Sequence, residues 1–259
     1  MKLPIYQVDA FTSRLFGGNP AAVVLLDAWL PDATMQNIAM ENNLAETAFV
    51  IPHDGVSELR WFTPTMEVDL CGHATLAAGY VLFNHRYQSL NQIEFRTRSG
   101  ILGVRRDGDM LSLDFPSLNS ETVTVSGVNE ALGLKPRETR KSNSLLAVFD
   151  NEDEIRAIRP DFALITALGA WMVIATAPGK DVDYVFRVFA PGAGIPEDPA
   201  TGSAQCTLIP YWAARLDKLK LASRQLSARI GEFQCELRGS RVSISGGAVE
   251  YLLGEIDVR

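Results

Sequence analysis

The sequence predicts an α+β fold of two similar halves, each a mainly antiparallel sheet wrapped around one central apolar helix. Three observations carry this expectation. Short apolar runs dominate the chain, separated by Gly, Pro, Asp and Asn, which is the punctuation of strands and turns. Two segments, residues 73–83 (HATLAAGYVLF) and 203–214 (SAQCTLIPYWAA), carry no formal charge when His73 is neutral. A surface helix shows a polar face, whereas a helix that is apolar all round is enclosed. Finally, Phe62-Thr63-Pro64 leads to Gly72-His73-Ala74, and Phe189-Ala190-Pro191 leads to Gly202-Ser203-Ala204. The offsets, 189 − 62 = 127 and 202 − 72 = 130, differ by three loop residues. A repeat of this length points to a duplicated domain whose copies face each other.

In chain order, strands are expected at 5–8, 21–26, 47–51, 59–62, 93–96, 101–104 and 111–115, with a hairpin at Gly108 in Arg106-Asp107-Gly108-Asp109. The second half continues with strands at 145–149, 171–175, 182–188, 225–229, 242–244 and 249–256. Weaker helical patterns lie at 33–42 and 152–168, and Pro210 is expected to kink or shorten the second enclosed helix. The resulting domains are 1–117 and 118–245, with the final strand, about 246–259, returning to the first.

Composition narrows the function. The 259 residues are 47% hydrophobic and 21% charged, with a net charge of −7. That acidity argues against a nucleic-acid groove or an anionic membrane surface, both of which need clustered Lys and Arg. The longest uncharged run, 162–178, is slightly short for a membrane span and is split by Gly169. Asp9 falls where a signal peptide needs an apolar stretch, so a cytoplasmic protein is expected. Three cysteines, Cys71, Cys206 and Cys235, do not form a disulfide framework. Small molecules are the ligand class that remains.

Three stretches could carry chemistry. Gly72-His73 and Gly202-Ser203 each sit where a loop enters an uncharged helix, and helix N-termini favour carboxylates and oxyanions. Alternatively, each glycine only permits a turn and Ser203 only caps a helix. Glu46, within Asn43-Leu44-Ala45-Glu46-Thr47-Ala48-Phe49-Val50, is flanked by apolar residues at the start of a strand. Burial would raise its pKa and suit it to carrying protons; the alternative is an ordinary salt-bridged carboxylate. In Pro196-Glu197-Asp198-Pro199-Ala200-Thr201-Gly202-Ser203, two acids precede a helix. They either compensate its dipole or turn Asp198 toward a polar ligand.

Other signatures do not fit. Gly192-Ala193-Gly194 has Glu197 where a dinucleotide fingerprint needs glycine, and there is no phosphate-binding Walker loop. His53, His73 and His85 show no metal-ligand spacing. Gly202-Ser203 is not a nucleophile elbow. Neither a cofactor nor a metal is expected.

The ordered set Asp9-Ala10-Phe11-Thr12, Gly18-Asn19-Pro20-Ala21-Ala22-Val23, Glu46-Thr47-Ala48-Phe49, Leu70-Cys71-Gly72-His73-Ala74-Thr75 and Glu197-Asp198-Pro199-Ala200-Thr201-Gly202-Ser203-Ala204 resembles the phenazine-biosynthesis PhzF-like isomerase family. The resemblance spans nearly the whole chain. It implies a diaminopimelate-epimerase-like fold, a homodimer, and catalysis without metal or organic cofactor. It also implies that Glu46 is the acid/base, with Gly72, His73, Asp198, Gly202 and Ser203 around a small carboxylic-acid substrate. One departure is Arg229-Ile230-Gly231, where many relatives read Arg-Gly-Gly; an Ile does not easily adopt positive φ, so a different local loop is expected.

The expected function is therefore a proton-shift isomerase. Two alternatives stand beside it. One is a racemase or epimerase using Cys71, although the matching place in the second half is Thr201 and Cys206 is expected to face the core. The other is a non-catalytic small-molecule binding or interaction protein on the same fold.

Overall fold

Residues 1–258 are described by a computed structural model. The chain divides into two units, Met1–Asp114 with Ser245–Arg259, and Phe115–Ile244. In the first, β1 (Lys2–Ala10) lies antiparallel to both β2 (Asn19–Leu25) and the C-terminal strand β18 (Ala248–Asp257). Helix α1 (Asp32–Asn42) connects β2 to β3 (Glu46–Ile51), which runs parallel to it. β3 pairs antiparallel with β4 (Val56–Phe62), and β4 with the short β5 (Glu67–Val68). Helix α2 (Gly72–His85) then leads to β6 (Gln92–Thr97), parallel to β4. β6 continues antiparallel into β7 (Gly100–Asp107) and β8 (Met110–Pro116). The pairing Asp107↔Met110 closes the expected hairpin over Gly108, whose φ is +58°.

The second unit repeats this order. After β9 (Glu121–Thr122) and α3 (Val128–Leu132) come the antiparallel strands β10 (Glu138–Lys141) and β11 (Leu145–Val148). Helices α4 (Glu152–Ala157) and α5 (Phe162–Ala167) connect β11 to the parallel strand β12 (Val173–Pro178). β13 (Tyr184–Ala190) is antiparallel to β12 and to the short β14 (Ile195–Asp198). Helix α6 (Gln205–Leu216) leads to β15 (Lys220–Gln225), parallel to β13. β16 (Gly231–Arg238) is antiparallel to β15, and β17 (Arg241–Gly246) follows, with the unit ending within it at Ile244. The succession from β2 through α2 to β7 thus matches that from β11 through α6 to β16, parallel and antiparallel steps included.

Strand alternation explains how the helices are held. Ala22, Val24, Phe49 and Ile51 join Met35 and Ala39 of α1 in one core. Their neighbours Ala21, Val23, Ala48 and Val50 point to the opposite face, and all are buried. With both faces covered, β3 has no exposed residue and loses the polar alternation of a surface strand. In the second unit, Val128, Leu132, Ile155 and Ile165 of α3–α5 pack with Ala147, Val173 and Val185. The charge-free helices α2 and α6 are buried along most of their length, as enclosure of an apolar helix requires.

Several local expectations are corrected. The 152–168 pattern is two short helices, because Pro160 cannot continue the first. Asn151 and Asp161 each cap a helix by accepting backbone N–H bonds. Pro210 does not end α6. Proline leaves the carbonyl of Cys206 without its helical donor, and the backbone N–H of Leu118 fills that place at 2.9 Å. The strand expected at 225–229 lies earlier, as β15, since the Ser227 hydroxyl binds the Pro199 carbonyl and receives the N–H groups of Arg229 and Ile230, forming a turn. Trp171 is exposed and precedes β12. The strands β5, β9, β10 and β14 carry too little apolar patterning to be read from sequence, whereas β16 alternates Phe233, Cys235 and Leu237 with polar residues and is missing from the expected strands. Among the described residues, no helix is long and apolar enough to cross a membrane.

Ile230 does adopt the left-handed conformation, with φ +58°, despite its branched Cβ. Next to it, Gly231 brings β16 against the loop before α6: a Cβ there would lie 2.6 Å from Ala200 Cβ and 3.1 Å from Phe233 Cε2. Gly231→Ala should therefore destabilise the protein by about 1–3 kcal/mol, the usual cost of overpacking. Chemical denaturation of the two proteins measures this; equal midpoints would contradict the close approach.

Candidate active site

The first unit gathers its polar residues at the starts of three elements. Ala10 pairs with Asn19, so the loop between β1 and β2 must return tightly. Gly18 makes that possible, with φ +57°; a Cβ there would sit 2.0 Å from the Ala10 carbonyl oxygen. Asn19 therefore opens β2, fully buried. Asn43, left-handed at φ 50°, ends α1 by donating its N–H to the Ala39 carbonyl, and the chain turns into Glu46 at the start of β3. Parallel pairing, with Ala21 opposite Glu46, sets both strand starts at the same end of the sheet. Cys71 stands at the N-cap of α2, where its carbonyl accepts from the Thr75 hydroxyl and, at 3.2 Å, from the Thr75 N–H. His73 follows in the first turn.

These elements bring three chemical groups together. His73 Nε2 lies 3.1 Å from Glu46 Oε2. Apart from each other, neither atom has a polar partner, although both are buried. On the other side of the ring, Nδ1 lies 3.1 Å from the Asn19 side-chain amide and 3.5 Å from Cys71 Sγ. Ligand atoms of Glu46, Cys71 and His73 all lie within 4.8 Å of one another.

Burial is the largest single influence on His73 and works against its charge. The charges of Cys71 and Glu46 and the hydrogen bonds to both outweigh it, lifting the imidazole well above its ordinary value near 6.5. Burial also pushes the Cys71 thiol up to about 11, assisted by the Glu46 charge. At neutral pH Cys71 is thus an uncharged thiol, so the charge it would lend His73 is present only where the thiol ionises, and the Glu46 carboxylate is the anion that faces the imidazole. A protonated Nδ1 requires the carbonyl side of the Asn19 amide, which matches the amino side in shape and turns to suit.

In the second unit, Asp198 ends β14 and is buried. Its Oδ2 accepts from the Thr201 hydroxyl. Gln225, fully buried at the end of β15, donates to the Asp198 carbonyl and, at 3.2 Å, to Thr201 Oγ1. It also accepts the Thr201 N–H at 2.7 Å. Glu197 is engaged elsewhere, in a bidentate pair with Arg187 at 2.7 and 2.9 Å. Gly202 and Ser203 belong to a tight turn leading into α6, with Gln205 N–H on the Gly202 carbonyl and Cys206 N–H on the Ser203 carbonyl. The α-helix proper begins at Gln205, so these two residues precede it rather than opening it. Cys206 faces the interior, and burial pushes its thiol up to about 12.

Of the expected site residues, Glu46, Gly72 and His73 meet in the first unit, while Asp198, Gly202 and Ser203 lie along one loop of the second. Sequence reading missed Asn19 and Gln225. The tight Gly18-Asn19-Pro20 turn was a signal for Asn19; nothing around Gln225 marked it out. The linear spacing of the histidines also hid the cluster of Glu46, Cys71 and His73, because its members come from two separate elements.

The model of the family described as phenazine biosynthesis-like protein matches residues 8–254. An uncharacterized isomerase of Pseudomonas aeruginosa is 52% identical over 258 residues, covering 99% of each chain. The crystal structure of a PhzF-family phenazine biosynthesis protein from Enterococcus faecalis superposes with a TM-score of 0.97 at 44% identity, covering 100% of each chain. A hydroxyproline epimerase from Agrobacterium vitis shares the fold at 11% identity, with a TM-score of 0.65 over 98% of this chain and 91% of that one.

The paired charges predict a pH dependence. Folding raises the His73 pKa, so the stabilisation is complete below its ordinary value near 6.5 and is lost as pH rises through the higher folded value. Nitrogen-resolved NMR of the imidazole should show both ring nitrogens of His73 protonated at neutral pH. A neutral ring at that pH would contradict the ion pair.

Proposed function

The chain belongs to the phenazine biosynthesis-like family, and we propose that it is an isomerase that moves a proton between carbons of a small carboxylic acid, with Glu46 as the acid/base. The observation that carries this reading is the approach of His73 to the buried Glu46 carboxylate, at 3.1 Å. Glu46 takes the proton from one carbon and returns it to another. His73 orients the carboxylate and supplies the compensating charge between turnovers. The start of α2 at Gly72-His73 carries the partial positive charge suited to a substrate carboxylate or a developing enolate. Asp198, Gly202 and Ser203 contribute substrate contacts, with Asp198 held in place by Thr201 and Gln225. These side chains suffice for proton transfer without a metal or organic cofactor. The family resemblance supports a homodimer.

The duplication favours one base over two. Glu46 opens β3, whereas the strand in the same topological place, β12, opens with Val173. A second reading, a thiol-dependent epimerase, draws on Cys71 beside His73. Against it, a thiol with a pKa of about 11 is ionised to only about one part in 10⁴ at neutral pH. The Thr201 hydroxyl, the matching group, is bound to Asp198.

A panel of small carboxylic acids incubated in D₂O and read by mass spectrometry should reveal a substrate by deuterium uptake, with activity surviving exhaustive chelation. Glu46→Gln should reduce the exchange rate by at least about 10²-fold, the usual scale of general acid–base catalysis. Cys71→Ala should cost far less, with circular dichroism confirming that both variants fold. A dead Cys71→Ala beside a nearly normal Glu46→Gln would make the thiol mechanism the correct one.

A further inference from the structure

We propose that Glu46, Cys71 and His73 form a site for one zinc ion, and that zinc bound there blocks the enzyme by occupying its base. The inhibition rests on the proposed role of Glu46, whereas the binding rests on geometry alone. The three residues offer a carboxylate, a thiolate and an imidazole, all of which Zn²⁺ accepts. Their ligand atoms lie within 4.8 Å of one another. Tetrahedral zinc bonds of ordinary length place such atoms roughly 3.4–3.6 Å apart. Glu46 lies beside Nε2 and Cys71 beside Nδ1, so the imidazole or the Cys71 side chain must turn for all three to hold one ion.

A second observation points to a ligand. Glu46 Oε2 and His73 Nε2 are buried polar atoms with no partner beyond their mutual approach. Asn19 faces the other ring nitrogen at 3.1 Å. A histidine bound to metal through one nitrogen usually gives its other N–H to such an outer group, which fixes the ring. With Asn19 on Nδ1, the ion would take Nε2, and Cys71 would have to swing from the Nδ1 side of the ring to join it. Glu46, Cys71 and His73 retain 8%, 7% and 5% exposure as residues, but Oε2 and Nε2 themselves are buried, so zinc entry requires local opening. Zinc enters in exchange for protons: the thiol and the imidazolium each release one to solvent, and no electron moves. Three protein ligands leave the fourth position to water or to a substrate carboxylate.

Cobalt(II) is the probe, because a thiolate bound to it produces a charge-transfer absorption. The experiment titrates Co²⁺ into the full chain, into Cys71→Ser, and into a Cys206→Ser/Cys235→Ser double variant whose only thiol is Cys71. The band should appear in the native and double-variant proteins, be absent from Cys71→Ser, and disappear when one equivalent of Zn²⁺ is added. Zinc affinity of Cys71→Ser should fall by more than the roughly 10–100-fold that loss of an outer-shell partner costs. Deuterium exchange should stop at zinc saturation and return on chelation. Absence of the band from the native and double-variant proteins, or its survival in Cys71→Ser, would overturn the site. A band accompanied by undiminished exchange would leave the metal site standing but overturn the inhibition and the role given to Glu46.

Discussion

The constraint on which the site depends is the burial of a carboxylate and an imidazole against each other. A buried charge needs a partner, and truncating one member of such a pair costs about 3–5 kcal/mol because the other is stranded. Here the partners come from different elements, Glu46 from the first residue of β3 and His73 from the first turn of α2. Their 3.1 Å approach exists only if β2, β3 and α2 all start at the same end of the sheet. Gly18, Asn43 and the Cys71–Thr75 bonds each serve that alignment. The arrangement is a fold-level solution to an electrostatic problem.

Duplication supplied the scaffold twice, but the chemistry differs between the copies. The first unit places ionisable groups at its strand and helix starts. The second places Val173 at the equivalent strand start and surrounds Asp198 with neutral donors and acceptors from Thr201 and Gln225. A hydrogen-bonded network that is satisfied within itself rigidifies its loop. Gly231, packed on Ala200, holds the same loop from the other side. One copy thus holds a buried carboxylate–imidazole pair and the other a hydrogen-bonded loop.

Much of this was legible in the sequence, for identifiable reasons. The charge-free stretches announced the two central helices because enclosure removes the need for a polar face. The repeat around Phe62-Thr63-Pro64 and Phe189-Ala190-Pro191 marked the β4–α2 and β13–α6 connections. Glu46 stood out as an acid in an apolar strand. What stayed hidden depended on tertiary contacts. Pro210 is accommodated by a donor from distant Leu118, and Ile230 holds positive φ in a turn built on Ser227. The contact between Cys71 and His73 is local, yet their meeting with Glu46 required the β2–α1–β3 crossover to be known. Gln225 lies beyond α6 from the loop it braces, so no local pattern could reveal it.

The central claim is that Glu46 and His73 form one energetic unit. A double-mutant cycle with Glu46→Gln, His73→Asn and the combined variant, unfolded by denaturant at neutral pH, tests it most directly. Each single change should destabilise the protein strongly, and the pair should be less harmful together than the two costs added, with a coupling of about 1–3 kcal/mol, within the range for contacting residues. Additive losses, with coupling indistinguishable from zero, would show that the two side chains are neighbours without being partners and would contradict this account.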